Sequence, residues 1–244
     1  MQKIVLTTPP LISIVTVTLN NVGGLTKTLK SIAEQSYKNI ELIVIDGDSI
    51  VGTKDLFNVP NDDIYKVIIE PDYGIYDAMN KGIKVANGQW LLFMNSGDIF
   101  ADVESLFDAV SCIEQNVDVI FSDWIYSESN SLVKADILKL NVRHQSVMYK
   151  ASLHETYGNY IVGKGVSISD YIFFLSVRHK NWKFCPTPIS ICEQEGASAQ
   201  PRHFYQRLAT EIIFGKRSRL NAALIILLYP AYRFVKRHIL RIRY

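Results

Sequence analysis

Cysteine is scarce in this sequence of 244 residues, and its three copies (Cys112, Cys185 and Cys192) form no C-x-x-C pair. An odd number of cysteines without paired spacing does not suit a disulfide framework or a structural zinc site. We also expect no signal peptide, because residues 1–10 contain two prolines and no long apolar core. We therefore expect reduced, structural cysteines in a cytoplasmic protein.

Two common phosphate-binding motifs are missing as well. No G-x-G-x-x-G follows the first apolar run, and no complete G-x-x-x-x-G-K-[ST] occurs in the chain. These motifs are typical of dinucleotide sites and P-loops, so we expect neither kind of site.

Acidic residues are absent after Glu211, although that stretch contains eight cations: Lys216, Arg217, Arg219, Arg233, Lys236, Arg237, Arg241 and Arg243. The rest of the chain has 18 basic residues against 24 acidic ones. A net negative body argues against nucleic acid as a partner, and the basic end is expected to have a separate role.

Apolar runs of strand type alternate with helical patterns over the first half of the chain. Strands are predicted at residues 11–19, 40–45, 66–69, 90–94 and 117–121, and helices from Leu25 and at 75–86 and 103–115. Such alternation predicts an α/β protein with a mostly parallel central sheet flanked by helices. Further along, the pattern predicts a hairpin at 124–135, a strand at 143–149, and helices at 170–178 and 203–214.

Three predicted strands end in polar clusters: Thr18-Leu19-Asn20, Asp46-Gly47-Asp48-Ser49 and Asn95-Ser96-Gly97-Asp98. Turn formation explains any one of them, but parallel strands would bring all three to the ligand-binding edge of a sheet. A carboxylate such as Asp46 can accept from a nucleobase N–H. Asp98 suits a hard divalent cation that bridges phosphates. The clusters together predict a nucleotide held through its base, a cation and a diphosphate.

Four segments carry a family resemblance: SIVTVTLNN, ELIVIDGDSIVGT, IEPDYGIYDAMNKGIKVANGQWLLFMNSGDIF and RHQSVMY. They resemble the inverting glycosyltransferases of family 2, which have a GT-A fold. In particular they resemble the bacterial enzymes of exopolysaccharide, O-antigen and colanic acid synthesis. The resemblance spans roughly residues 11–200 and implies the GT-A fold for this chain.

The resemblance also assigns residues to a donor site. It implies contacts with the nucleotide-sugar from Thr18, Asn20, Asp46, Asp72, Asn80 and Asn95. The metal motif of the family falls on residues 95–98, where Asp98 would hold Mn²⁺ or Mg²⁺. Gly97 stands where many members have the first Asp of a pair, so Asp98 is left as the only carboxylate of the motif.

A catalytic base and acceptor contacts are implied in the same way. The segment SISDYIFFLSV matches the context of the family's base, which makes Asp170 the candidate for accepting the proton of the acceptor hydroxyl. The alternative is an acid that merely faces a helix dipole. His144 and Gln145 are candidates for contacting the acceptor or the metal, or else form a structural pair.

The chain is expected to divide into a GT-A domain at residues 1–215 and a basic amphipathic tail at 216–244. The apolar run 220–232 is too short for the ~20 residues of a spanning helix. Beyond it, Tyr232, Val235, Ile239 and Ile242 recur at helical spacing among arginines. Apolar and basic residues together predict an interfacial helix on an anionic membrane. The alternative is a helix packed on the body.

The predicted function is transfer of a sugar from a nucleotide-sugar, with UDP as the expected carrier, to a lipid-diphosphate-linked saccharide at the inner face of the cell membrane. Two alternatives stay open: a non-catalytic nucleotide-binding or scaffold subunit of a polysaccharide assembly complex, and a nucleotidyltransferase. The second would need a Gly-rich basic loop after the first strand, which residues 20–24 do not supply.

Overall fold

A computed structural model describes residues 9–50, 52–53, 56, 65–193 and 201–238. In this part of the chain the strands are β1 (Ile12–Thr18), β2 (Ile40–Asp46), β3 (Tyr65–Ile69), β4 (Trp90–Phe93), β5 (Ile99–Phe100), β6 (Val119–Tyr126), β7 (Ser131–Val133), β8 (Val147–Lys150) and β9 (Trp182–Cys192). The helices are α1 (Val22–Ala33), α2 (Ile75–Val85), α3 (Ser105–Ser111), α4 (Leu153–Tyr157), α5 (Ser169–Ser176), α6 (Pro201–Ile213) and α7 (Arg219–His238). A short 3-10 helix, His144–Ser146, leads into β8.

The strands form one sheet in the order β3-β2-β1-β4-β8-β6-β9-β5, with β7 added to β6. β1 is parallel to both β2 and β4, and its last residue, Thr18, lies opposite Asp46. β8 is antiparallel to β4 and β6, so the sheet is mixed, with the predicted parallel strands forming its first half. This arrangement brings the ends of β1, β2, β4 and β6 and the start of β8 to one edge.

The five strands predicted from apolar runs are all present, and so is the hairpin, as β6 and β7. Apolar runs that are largely buried on both faces explain this success for β1, β2 and β4. Helix α3 is shorter than predicted, and the predicted strand at 143–149 begins with the 3-10 helix. The tail forms α7, which continues through Pro230. Within the described residues, no helix has the length and apolar character needed to cross a membrane.

β9 was not predicted from the sequence, because Pro186 and Pro188 argue against a strand inside a sheet. The structure accommodates them in an irregularity of the β6–β9 pairing, where the register jumps from Cys185 opposite Ser122 to Ser190 opposite Trp124. After this bulge, β9 resumes pairing and carries its end to the polar edge of the sheet.

A buried carboxylate connects the strands at the opposite edge. The side chain of Glu41 is 3% exposed and accepts hydrogen bonds from Ser13 Oγ (2.5 Å) and Lys66 Nζ (2.9 Å). It also accepts from the backbone N–H groups of Asn87 and Gly88. These contacts join β1, β2, β3 and the turn before β4, so Glu41 holds together the parallel half of the sheet.

Helix α6 packs on the body, and α7 packs on α6. Gln206 Oε1 accepts from the backbone N–H of Ser167 at 3.0 Å, and Arg207 lies over the ring of Tyr171. The ring of Phe204 stacks on Tyr229 of α7 with centroids 3.7 Å apart. Gly215 follows the end of α6 with a left-handed φ of 70°, and the predicted division into a GT-A domain and a tail stays a prediction.

Candidate active site

The ends of β1 and β2 present buried oxygens without hydrogen-bond partners. Asp46 is fully buried, and its Oδ1 accepts from the N–H of Ser49 at 2.7 Å, while Oδ2 has no partner. The hydroxyl of Thr18, its neighbour across the ladder, is also buried without a partner. Buried polar atoms are normally hydrogen-bonded. These two atoms therefore mark a place where a ligand would supply N–H or O–H groups.

Asn20 lies beside this pair and shapes the loop around it. Its φ of 53° is left-handed, a conformation that asparagine tolerates better than most residues. The side-chain Oδ1 accepts from Ile50 N–H at 2.9 Å, and the backbone N–H donates to Ser49 Oγ at 2.7 Å. Asn20 thus connects the loops after β1 and β2, and its predicted contact with the nucleoside stays a prediction.

Asp72 lies at the same edge, whereas the side chain of Asn80 bonds to the protein backbone. Asp72 Oδ1 accepts from Gly74 N–H at 2.8 Å, and its Oδ2 lies only 2.4 Å from where a Cβ on Gly47 would be. The amide of Asn80 instead bonds twice to the backbone of Tyr160, at 2.8 and 3.0 Å. Both functional groups of Asn80 thus bond to the backbone of Tyr160, and its predicted contact with the donor stays a prediction.

The turn after β4 holds Asp98 in a buried position, 6% exposed. Gln145 Nε2 donates to Asp98 Oδ2 at 2.6 Å, and the backbone N–H of Glu193 donates to Oδ1 at 3.2 Å. Burial raises the pKa of Asp98 above its usual range, although the hydrogen bond from Gln145 opposes the shift. Gln145, predicted to contact the acceptor or the metal, therefore lies beside Asp98, the residue predicted to hold the cation.

Asp170 lies at the start of α5 and accepts two hydrogen bonds. Tyr76 Oη donates to its Oδ1 at 2.6 Å, and His144 Nδ1 lies 3.2 Å from its Oδ2. Burial by itself would raise the pKa of Asp170, but the hydrogen bonds and charge of His144, with Tyr76, lower it to about 2. Asp170 is therefore ionised at physiological pH, as a proton acceptor must be.

His144 connects the two halves of the site. An ionised carboxylate only accepts, so Nδ1 of His144 carries the proton toward Asp170. The other ring nitrogen, Nε2, lies 2.8 Å from Asn95 Nδ2. This arrangement leaves Asn95 Oδ1 buried and without a partner. One connected series of polar groups thus runs from Tyr76 through Asp170 and His144 to Asn95.

Oxygen atoms suited to a hard cation collect around Asp98. The carboxamide oxygens Asn95 Oδ1 and Gln145 Oε1 are both buried and unpartnered, and Gln145 is bonded to Asp98 through its Nε2. Within the described residues, no cluster of three or more His, Cys, Asp or Glu side chains could hold a metal ion. The donor set therefore fits Mg²⁺ or Mn²⁺ only if amides, water and phosphate oxygens complete the coordination.

Two residues of the site escaped the sequence analysis. Tyr76 lies on the buried face of α2, where its helical spacing resembles that of a core residue. Glu193 follows β9, a strand that its two prolines argue against in the sequence. Neither position has a signal in a single sequence, since both depend on contacts between residues about 94 positions apart.

A cavity of about 880 Å³ lies apart from these groups. Its walls include the apolar side chains of Phe121, Ile137 and Phe184 and the cations Lys134 and Arg207. None of the predicted donor residues lines it. The strand-edge site is therefore identified by its unpartnered buried oxygens and not by this cavity.

Comparison with known proteins agrees with the fold. Staphylococcus aureus TarS 1-349 in complex with UDP-GlcNAc superposes with a TM-score of 0.70 at 20% identity, over 92% of this chain and 72% of that chain. The mannosyltransferase PcManGT from Pyrobaculum calidifontis, in complex with GDP-Man and Mn²⁺, gives 0.67 at 17% identity, over 84% and 65%. The predicted GT-A fold is thereby confirmed.

Sequence relatives point the same way. A PGL/p-HBAD biosynthesis glycosyltransferase of Mycobacterium bovis (strain BCG / Pasteur 1173P2) is 32% identical over 162 residues, which is 62% of this chain and 63% of that protein. This chain therefore covers less than two thirds of that relative's length. The putative teichuronic acid biosynthesis glycosyltransferase TuaG of Bacillus subtilis is 30% identical over 92 residues, 36% of each chain. A model of the family described as "Glycosyl transferase family 2" matches residues 13–168, and the chain belongs to that family.

Proposed function

We propose that this protein is an inverting glycosyltransferase that moves a sugar from a UDP-sugar to a lipid-diphosphate-linked saccharide. The observation that carries the proposal is the edge of the sheet: unpartnered buried oxygens of Thr18 and Asp46 lie at one end, and the ionised Asp170 at the other. Relatives named for PGL/p-HBAD and teichuronic acid biosynthesis support a role in assembling bacterial surface glycans, and within that role we propose the exopolysaccharide or O-antigen type.

In the proposed reaction, the acceptor hydroxyl attacks the anomeric carbon from the side opposite the diphosphate. The new C–O bond forms as the bond to the nucleoside diphosphate breaks, which inverts the configuration. Asp170 accepts the hydroxyl proton. Tyr76 and His144 hold the carboxylate in place through its two oxygens.

The donor is held by the strand ends. Asp46 Oδ2 accepts from the base, Thr18 contacts the nucleoside, and Asn95 and Asp72 lie near the diphosphate. Asp98 would hold Mn²⁺ or Mg²⁺, which would offset the negative charge that develops on the leaving diphosphate.

The exposed face of α7 supports docking on an anionic membrane. Leu220, Leu224, Leu227 and Leu228 are 51–75% exposed, while Tyr229 of the same helix packs on Phe204. The four leucines follow helical spacing and share one outward face. No acidic residue follows Glu211, so the charge of this segment complements anionic lipid. We infer a peripheral position at the inner face of the cell membrane. Ile239 and Ile242 of the predicted apolar stripe lie outside the described residues.

The function is tested by incubating the purified protein with UDP-, GDP- and dTDP-sugars, with and without a lipid-linked saccharide, and measuring release of nucleoside diphosphate. We expect release from UDP-sugars that increases with acceptor. Thermal shift with the same nucleotides reports binding alone. Binding without any turnover would favour the scaffold alternative. Incorporation of a nucleoside monophosphate would indicate the nucleotidyltransferase.

A further inference from the structure

Glu193 lies beside the turn that holds Asp98, although the two residues are far apart in sequence. β5 and β9 pair antiparallel, with Ile99 opposite Ile191 and Phe100 opposite Ser190. The same register, continued past Ile99, sets Glu193 opposite Gly97. The bond from the N–H of Glu193 to Asp98 Oδ1, at 3.2 Å, agrees with this position.

The side chain of Glu193 is directed at the turn. A Cβ added to Gly97 would lie 2.9 Å from Glu193 Oε1 and 3.2 Å from its Cδ. The φ of Gly97 is also 106°, a conformation that other residues rarely adopt. Glycine therefore leaves open the space that the carboxylate of Glu193 occupies.

A second, independent feature points to a ligand at this place. Gln145 is 7% exposed and Asn95 is 8% exposed, yet Gln145 Oε1 and Asn95 Oδ1 have no hydrogen-bond partner. The nitrogen of the Gln145 amide donates to Asp98 Oδ2 at 2.6 Å, so the unpaired oxygen belongs to a group that is already bonded to that carboxylate. Leaving such atoms unpaired is costly, and an electron-poor ligand would relieve the cost.

We propose that Glu193 provides the second carboxylate of a divalent cation site, together with Asp98. The inference rests on the proposed function in one respect: the donor diphosphate would complete the coordination. Two carboxylates with one or two amide oxygens match the preference of Mg²⁺ and Mn²⁺ for hard oxygen ligands. The carboxylate that residue 97 lacks thus comes from the end of β9.

The proposal is tested by titrating Mn²⁺ into the full-length protein and measuring free Mn²⁺ by electron paramagnetic resonance. The variant is Glu193→Gln, which keeps the side-chain shape at an exposed position. Glu155→Gln, also exposed and located on α4, is the matched control. We expect Glu193→Gln to weaken Mn²⁺ binding at least about tenfold, since even residues that only support metal ligands commonly cost that much. The control should bind as the wild type does.

Melting curves in EDTA establish that each variant is folded, and Asp98→Asn serves as a second variant that should also lose the ion. Wild-type affinity in Glu193→Gln would overturn the proposal, and so would a wild-type protein without a saturable Mn²⁺ site. The proposed function is judged separately, by nucleoside diphosphate release. Absent transfer with Mn²⁺ binding that depends on Glu193 would refute the function and leave the ion site standing.

Discussion

Replacing Glu41 by Gln should destabilise the fold without affecting the donor site. Gln keeps the shape but loses the charge that faces Lys66, and its NH₂ group meets donors from Ser13, Asn87 or Gly88. A hydrogen bond to a charged group contributes about 1.5–3 kcal/mol, and Gln would weaken at least two of those that Glu41 accepts, so the loss is roughly 3–5 kcal/mol. In a domain of this size, about 2–4 °C of melting temperature is lost per kcal/mol. We therefore expect a decrease of roughly 6–20 °C.

The matched control is Glu114→Gln, which removes an ion pair with Lys183 of similar length, 2.8 Å, between side chains that are 64% and 44% exposed. Exposed pairs contribute about 0–1 kcal/mol, so this variant should melt within a few degrees of the wild type. Urea unfolding of the three proteins gives the free energies. Equal losses in the two variants would refute the argument, because burial would then make no difference.

The pH dependence of the same pair adds a second check. Burial would raise the pKa of Glu41, but its hydrogen bonds, led by those from Ser13 and Lys66, lower it below the usual 4.5. A carboxyl whose pKa is lowered by folding stabilises the protein above its unfolded pKa, and the stabilisation is lost as pH falls through the folded value. The difference between wild type and Glu41→Gln should therefore be full at pH 7 and shrink below about pH 4.5. A difference that is independent of pH would contradict the lowered pKa.

Three further predictions concern the proposed function. Asp170→Asn should lower kcat by about 10²–10⁴-fold with donor binding unchanged, and a loss confined to donor affinity in a steady-state assay would remove Asp170 from the role of base. Asp46→Asn should weaken UDP binding about 10–100-fold, as expected for a lost hydrogen bond to a charged group; calorimetry that finds wild-type affinity would exclude Asp46 from the nucleotide pocket. Changing Leu224, Leu227 and Leu228 together to Ser should reduce co-sedimentation with phosphatidylglycerol vesicles by about tenfold or more. Truncation before Leu220 should have the same effect. The control Leu138→Ser changes an exposed leucine outside α7 and should sediment as the wild type does. Equal sedimentation of all these proteins would show that α7 is a packing helix.

Much of the sheet was predictable because its central strands are continuous apolar runs. β1, β2 and β4 are buried on both faces, and a run of that kind has few alternatives. Their common orientation also made the meeting of Thr18, Asp46 and Asn95 at one edge predictable.

The rest of the site depended on information that a local pattern does not contain. Asn80 and Tyr76 lie on the same helix. Asn80 bonds to the backbone of Tyr160, whereas Tyr76 donates to Asp170. Helical spacing alone does not tell which of the two reaches the site. Glu193 could not be predicted for another reason. It follows β9, which contains two prolines, and the structure accommodates them in the bulge beside β6.

The attachment of α7 has a consequence for how an acceptor would be chosen. Tyr229 of α7 stacks on Phe204 of α6. Gln206, also in α6, bonds to Ser167, which lies three residues before Asp170. Few contacts therefore separate the outward leucines from the proposed base, and all of them are packed or hydrogen-bonded. With those leucines resting on lipid, the protein itself would set the height of Asp170 above the bilayer. Such an enzyme would select its acceptor by distance from the membrane, because only a saccharide hydroxyl at that height above the bilayer would reach Asp170.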